Sequence, residues 1–150
     1  MKIITLYEPW ASLIARGFKK WETRGWPTSY RGWVAIHAGK NRNHVDDLGF
    51  LLVAAGVKKS IFDPDPFPAN WPFGCIVAAA DLVDCVPTEK VTPSAQERAF
   101  GDYSPGRFAW IFGVVRRTKP LLFRGIPGLK DLPLATELAL EYFDKANVTV

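Results

Sequence analysis

Between Gly17 and Arg24 the chain reads Gly-Phe-Lys-Lys-Trp-Glu-Thr-Arg, which sets an amine, a carboxylate and a guanidinium within one short stretch. A lysine beside a carboxylate can act as an acid/base pair when burial moves either group from its ordinary pKa. The guanidinium adds a forked donor suited to phosphate or to a base edge. Residues of equal parity share one face of a strand, so Glu22 and Arg24 point the same way. Lys19 joins them only from a turn ahead of the strand. The spacing therefore predicts that Gly17 ends a helix and that Lys19 lies in the following turn, free to swing toward the other two. Glu22 then pairs with Arg24, or it holds Lys19 and leaves Arg24 for phosphate or a base edge. A salt bridge that merely ties two elements together would use the same residues.

A second set runs from His37 to Arg42. Gly39 permits close backbone approach, a helix starting near His44 would offer free N–H groups to an anion, and Lys40 and Arg42 add charge. Imidazole titrates near neutrality, so His37 has the chemistry of a general base for RNA cleavage; a lone histidine at a strand end serves structure as readily. Arg107 opens a late strand and is expected to face the same region. Aromatic rings crowd the N-terminal third, from Tyr7 to Trp33, interleaved with Lys and Arg. Bases stack on rings while cations follow phosphates, a mixture suited to single-stranded nucleic acid. A tryptophan-rich core accounts for most of these rings. Trp26 and Tyr30 flank a Pro27-Thr28-Ser29 turn, next to Arg31, and are the two expected outside it.

The elements that must position these groups follow from periodicity and punctuation. Strands are predicted at Ile3–Tyr7, Lys20–Arg24, Gly32–Ala38, Cys75–Val86 and Phe108–Arg116, with a shorter one around Leu121–Phe123. Helices are predicted from Glu8 to Gly17, about His44 to Ala55, a turn or two at Ser94–Phe100, and Leu134–Phe143 with Leu134, Leu138, Ala139 and Tyr142 on its apolar stripe. Residues 63 to 72 carry four prolines and read as irregular, and 125 to 133 as loop. The small residues of the Cys75–Val86 strand predict close packing against another element. The pattern is that of a strand-dominated α+β domain, a barrel with peripheral helices.

With 150 residues and 48% hydrophobic composition, the chain suits a single domain that needs neither metal nor disulfide to hold it. Cys75 and Cys85 lie on one predicted strand, on the order of 33 Å apart, too far to bridge; they are expected as reduced, buried thiols. Neither histidine has metal-ligand spacing with them, so no metal and no cofactor is expected. No stretch reaches the roughly 20 apolar residues of a membrane helix, and the N-terminus lacks a signal-peptide core, so a soluble cytoplasmic domain is expected. The net charge of +4 hides its distribution: residues 1–43 carry eight Lys/Arg against two acids, and residues 106–130 carry six against none. Brought together, two such segments make a positive face for a polyanion.

The octad Gly17–Arg24, in the pattern G-x-K-x-x-E-x-R, resembles the ASCH family, named for activating signal cointegrator-1 homology and related to PUA RNA-binding domains. Tyr7-Glu8-Pro9-Trp10-Ala11-Ser12-Leu13-Ile14 is similar to the family's Q-P-W-A-S-L opening, with Glu8 in place of the usual Gln. Trp33–Ala38, Gly74–Val77 with Asp81–Cys85, and Arg107–Trp110 resemble its strands. The resemblance implies one ASCH domain over residues 1–150, its core about 3–133 and a C-terminal helix about 134–145. It further implies a PUA-like β-barrel of about five to six mixed strands with peripheral helices, and a cleft lined by Lys19, Glu22 and Arg24. RNA or a modified nucleotide, or else DNA, would bind there, and the charges and rings described above add Trp26, Tyr30, Arg31, His37, Lys40, Arg42 and Arg107 as further contacts. No membrane is implied, and protein partners are unassigned. The alternative function is a metal-independent ribonuclease or modified-nucleoside hydrolase with Lys19 and Glu22 catalytic. A family branch that hydrolyses N4-acetylcytidine has a nucleophilic Thr where this chain has Glu22. Thr23 has the wrong parity to replace it, so that amide hydrolysis is not expected.

Overall fold

The computed structural model describes residues 1–57 and 70–143. Six strands form one sheet: β1 (Lys2–Leu6), β2 (Trp21–Arg24), β3 (Gly32–Ala38), β4 (Cys75–Pro87), β5 (Phe108–Leu122) and β6 (Lys130–Asp131). Their order is β2-β5-β4-β3-β1-β6, so β2 and β6 are its ends and the curved, barrel-like sheet is not closed. β1 and β3 run parallel, and every other pair is antiparallel. Among the described residues four short α-helices flank it: α1 (Trp10–Ala15), α2 (Leu48–Ala54), α3 (Ala95–Phe100) and α4 (Leu134–Leu138). The α+β class and the mixed six-strand sheet agree with expectation.

Strand parity divides the core. Ile4, Leu6, Val34, Ile36 and Ala38 share one face with Ala11, Ile14, Trp110 and Phe112, while Ile3 and Ala35 turn to the other with Ile76, Leu132 and Leu140. Helix α1 lies against β3, β4 and β5, and Ala11 through Ala15 are all buried. Ala78, Ala79 and Ala80 of β4 are fully buried, and the two of even parity belong to the α1-side core, so the absence of larger side chains there lets the helix approach. A third cluster, Leu13 with Ala55 and Phe100, joins α1 to α2 and α3.

Five expectations change. β5 is one strand of 15 residues rather than two: its register against β4 shifts between Ile76 and Ala78, a bulge that absorbs Pro120, which has no N–H to donate. α4 stops at Leu138, with Leu134 and Leu138 exposed. Instead of continuing as helix, residues 141–143 lie along β5 beyond the part that β2 covers, with Lys119 N–H donating to Glu141 O (2.8 Å) and Phe143 N–H to Arg117 O (3.0 Å); the remainder of the expected helix lies outside the described residues. β6 falls in the expected loop, pairing with β1. The helix expected from His44 begins as a 3-10 turn, Val45–Asp47, whose own Asp46 and Asp47 occupy the end where an anion was expected. Most of the proline-rich stretch expected to be irregular, residues 63–69, also lies outside the described residues. Cys75 and Cys85 are free as expected but half-buried rather than buried. Among the described residues no helix is long and apolar enough to cross a membrane.

Candidate nucleic-acid interface

Gly17 does end α1. Its φ of 80° lies in the left-handed region, and Phe18 and Lys19 N–H both donate back to Leu13 O. The turn so formed places Lys19 ahead of β2, as parity requires, but not free. Its side chain is 1% exposed, and Nζ donates to Trp21 O and lies 3.3 Å from Glu22 Oε2. Glu22 Oε1 is 3.7 Å from Arg24 Nε, and Arg24 Nη2 donates to Thr5 O at 2.7 Å. Both pairings weighed from sequence thus occur at once, with Glu22 between two cations. The motif stitches β2 to its own turn and to β1.

Two residues that sequence reasoning passed over complete this network. Glu97, buried at the start of α3, accepts Lys20 N–H (2.7 Å) and Trp21 N–H (3.3 Å), so it fixes the entry to β2. The Ser94-x-x-Glu97 spacing signals a helix cap, and Ser94 Oγ does accept Glu97 N–H, but the carboxylate reaches outward instead of back. Tyr103 has a buried hydroxyl without a hydrogen-bond partner among the described residues; burial first, then the charges of Glu97 and Glu22, push its pKa above the ordinary phenol range. Glu22 also lines a recess of about 300 Å³ with Trp10, Thr23, Leu51 and Asp102. At its rim Trp10 meets His44, whose ring stacks on the exposed Tyr7 at 5.3 Å.

His37 lies on the other face, in register with Thr5. Its Nε2 is 2.7 Å from Phe123 O, an atom that only accepts, so Nε2 carries the proton, and Nδ1 is 3.1 Å from Thr5 Oγ1. The ring is buried and both nitrogens are engaged, which makes it the floor of a cleft rather than an open base. That cleft, about 410 Å³, is walled by Gly39, Lys40 and Arg124–Pro127. A Cβ on Gly125 would stand 2.9 Å from the imidazole Cε1, so backbone rather than side chain covers the ring. Lys40 and Arg124 are exposed, and neither has an ion-pair or hydrogen-bond partner among the described residues.

The other expected contacts are dispersed. Arg42 is exposed, stacked 4.2 Å from the Phe73 ring. Arg31 is held by Thr28 O and Tyr30 O, with Asp84 at 3.5 Å. Arg107 does not turn toward Lys40: it donates to Asp102 O (3.1 Å) and Thr23 O (3.2 Å). Trp26 is exposed and Tyr30 half-buried, in a separate cleft with Lys2 and Lys130. From the second basic segment, Arg116 stacks on Tyr142 at 3.9 Å, Arg117 on Phe143 at 4.6 Å, and Lys119 pairs with Glu141. Only Arg124, unremarked in the sequence, reaches the Lys40 cleft. Among the described residues no three His, Cys, Asp or Glu side chains gather as a metal site.

This arrangement has relatives. Activating signal cointegrator 1 from Homo sapiens is 36% identical over 89 residues and that from Mus musculus 32% over 83, each match covering 55% of this chain and 14% of that protein. The chain therefore spans a small part of those proteins' length. The crystal structure of ASCH from Zymomonas mobilis superposes with a TM-score of 0.53 at 14% identity, covering 91% of this chain and 90% of that one. A point mutant of that Zymomonas mobilis protein gives the same TM-score at 13% identity, covering 92% of this chain and 95% of that one. The fold is thus that of the PUA-like ASCH proteins. Residues 4–121 match the ASCH domain model, from β1 through β5 and across every segment whose motifs carried the resemblance, and the chain belongs to the ASCH domain family.

Proposed function

We propose that this domain binds RNA, or a modified nucleotide, with phosphate held in the cleft between Lys40 and Arg124. The observation that carries this reading is the pair of unpartnered cations over a glycine-walled floor. Glycines at 39 and 125 let a ligand approach main chain, and two cations without competing carboxylates keep their charge for a polyanion. Lys19 and Arg24 contribute indirectly: Arg24 holds the Thr5 carbonyl, and the Thr5 side chain meets His37 beneath the cleft.

Binding of a single-stranded RNA decamer across a salt series tests this. Affinity should fall steeply with salt, and Lys40→Ala/Arg124→Ala should flatten the log–log slope by about 1.4, at roughly 0.7 per phosphate contact on a single strand. Absence of salt-dependent binding to single-stranded RNA and to DNA would overturn the reading.

A second reading has one observation behind it. Glu22 lines the 300 Å³ recess with the Lys19 ammonium directly behind it, an arrangement suited to acid/base work on a ribose or a modified base. Turnover of RNA oligomers or acylated nucleosides that disappears in Lys19→Met supports it. Activity that persists in Lys19→Met removes it.

A further inference from the structure

The segment from Arg124 to Lys130 lines two clefts in succession. Arg124–Pro127 wall the Lys40 cleft, and Gly128–Lys130 wall a second of about 640 Å³ that also contains Lys2, Trp26, Ser29 and Tyr30. Along β1 the first cleft is reached at Thr5 and the second at Lys2. These residues have opposite parity and face opposite sides of the sheet, on the order of 10 Å apart along the strand. The segment therefore wraps the β1 edge with a cleft on each side of it.

We propose that the Trp26 cleft is a base-stacking subsite, and that one single-stranded RNA chain straddles the 124–130 segment with phosphate at Lys40 and Arg124 and a base against Trp26. The proposal rests on the nucleic-acid reading above. Trp26 is the one exposed tryptophan of the six. It is also held: it stands at 90° to the buried Trp110, ring centroids 4.8 Å apart, and its carbonyl accepts the Trp110 indole N–H at 3.2 Å. Tyr30 is fixed by a hydrogen bond from its hydroxyl to Trp33 O at 2.9 Å. Rings already locked in place lose little freedom when a base stacks on them.

The charges around these rings fit a nucleotide. Lys2 is neutralised by Asp131 at 2.7 Å and lies 5.7 Å from the Tyr30 ring centroid, whereas Lys130 is exposed with no polar partner among the described residues. One uncompensated cation is the complement of one phosphate. The Ser29 hydroxyl, likewise without a partner among the described residues, supplies a donor and acceptor for a base edge. The volume falls within the range of small-ligand sites.

The test measures affinity of a single-stranded RNA decamer, and of a decamer whose bases are all replaced by abasic sites, for wild type, Trp26→Ala, Trp26→Phe, Lys130→Ala and the Lys40→Ala/Arg124→Ala pair. Trp26→Ala should weaken RNA binding roughly ten- to a hundred-fold with the salt slope unchanged, and Trp26→Phe should recover part of it. Lys130→Ala should reduce the slope. Wild type should bind the abasic decamer more weakly by a factor similar to that lost in Trp26→Ala, a comparison that needs no variant to fold. Equal affinity of wild type for the two decamers overturns the subsite. So does wild-type RNA affinity in a folded Trp26→Ala protein, while the loss in Lys40→Ala/Arg124→Ala leaves the phosphate cleft standing. Failure of wild type to bind RNA at low salt overturns the subsite, and failure with single-stranded DNA as well overturns both.

Discussion

Two regions of this domain each bring a lysine and an arginine together, and they are opposites. Around Glu22 the cations are turned inward: Lys19 is buried, Arg24 is tied to the Thr5 carbonyl, and a carboxylate sits between them. At the Lys40–Arg124 cleft the cations are exposed, 84 positions apart in sequence, with no acid facing them among the described residues. A motif dense in charge therefore need not be where charge is offered. Sequence distance does not decide it, since Lys2 is neutralised by Asp131 from 129 positions away; what remains for a ligand is charge that the fold has left apart from acids.

Substitutions can break that contrast, beginning with the largest effect. Glu22→Ala strands the buried Lys19 ammonium and should cost about 3–5 kcal/mol, seen as a fall in Tm of the order of 10 °C at about 2–4 °C per kcal/mol. A variant within about 1 °C of wild type, a shift worth under about 0.5 kcal/mol, would show that the Lys19 environment is open.

Glu8 gives the next test, because it is a buried carboxyl without Glu22's bonded cations. It is 0% exposed, neither oxygen has a hydrogen-bond partner of good geometry among the described residues, and burial pushes its pKa up to about 7, with Ser12 and Arg16 offsetting only part. The folded pKa lies above the ordinary value of 4.5, so the native state binds this proton more tightly than the unfolded chain does. The associated stability is complete below about pH 4.5 and is lost as pH rises through about 7, a difference of about 3 kcal/mol. Glu8→Gln keeps the shape of the protonated acid. In urea unfolding it should match wild type at low pH and exceed it at about pH 8, above the folded pKa; equal pH profiles would contradict the assignment.

On the open side, Gly125→Ala drives a methyl group against an imidazole pinned at both nitrogens. A cost of about 1–3 kcal/mol is expected, with RNA affinity falling beyond what the lost stability explains. Lys40→Ala/Arg124→Ala should be the gentlest change for folding, within about 0.5 kcal/mol for each substitution, although it removes the charge on which binding is proposed to depend. Circular-dichroism melts compared with the salt series separate the two effects.

Much of the positioning framework was legible because its causes are local. Gly17 as a helix stop, the shared face of Glu22 and Arg24, and the β1, β3 and β4 strands all follow from spacing of a few residues. The open cleft was legible only in half. Lys40 stood out beside Gly39, but Arg124 has no neighbouring signal; it arrives because Phe123 N–H donates to Gly74 O and Phe123 O accepts from His37, 86 residues away. Glu97 reaches Lys20 over a separation of 77, and the strand-like course of residues 141–143 depends on an uncovered part of β5 that no local pattern announces. Parity told which side chains share a face. It could not tell how much of each face another segment would cover.

The hydrogen bonds that fasten Phe123 have a consequence for motion. Residues 124–129 hang between two clamps, Phe123 on His37 and Gly74 at one end and the two-residue pairing of β6 with β1 at the other. Neither clamp is long, and nothing between them belongs to a helix or strand. Such a span opens as one unit when an end releases, so the amides that clamp it, Phe123 N–H on Gly74 O at one end and those of β6 at the other, should exchange with solvent faster than those of β3 and β4. Both clefts would lose a wall in the same opening event. The single chain proposed to straddle them would lose its hold at both ends at once.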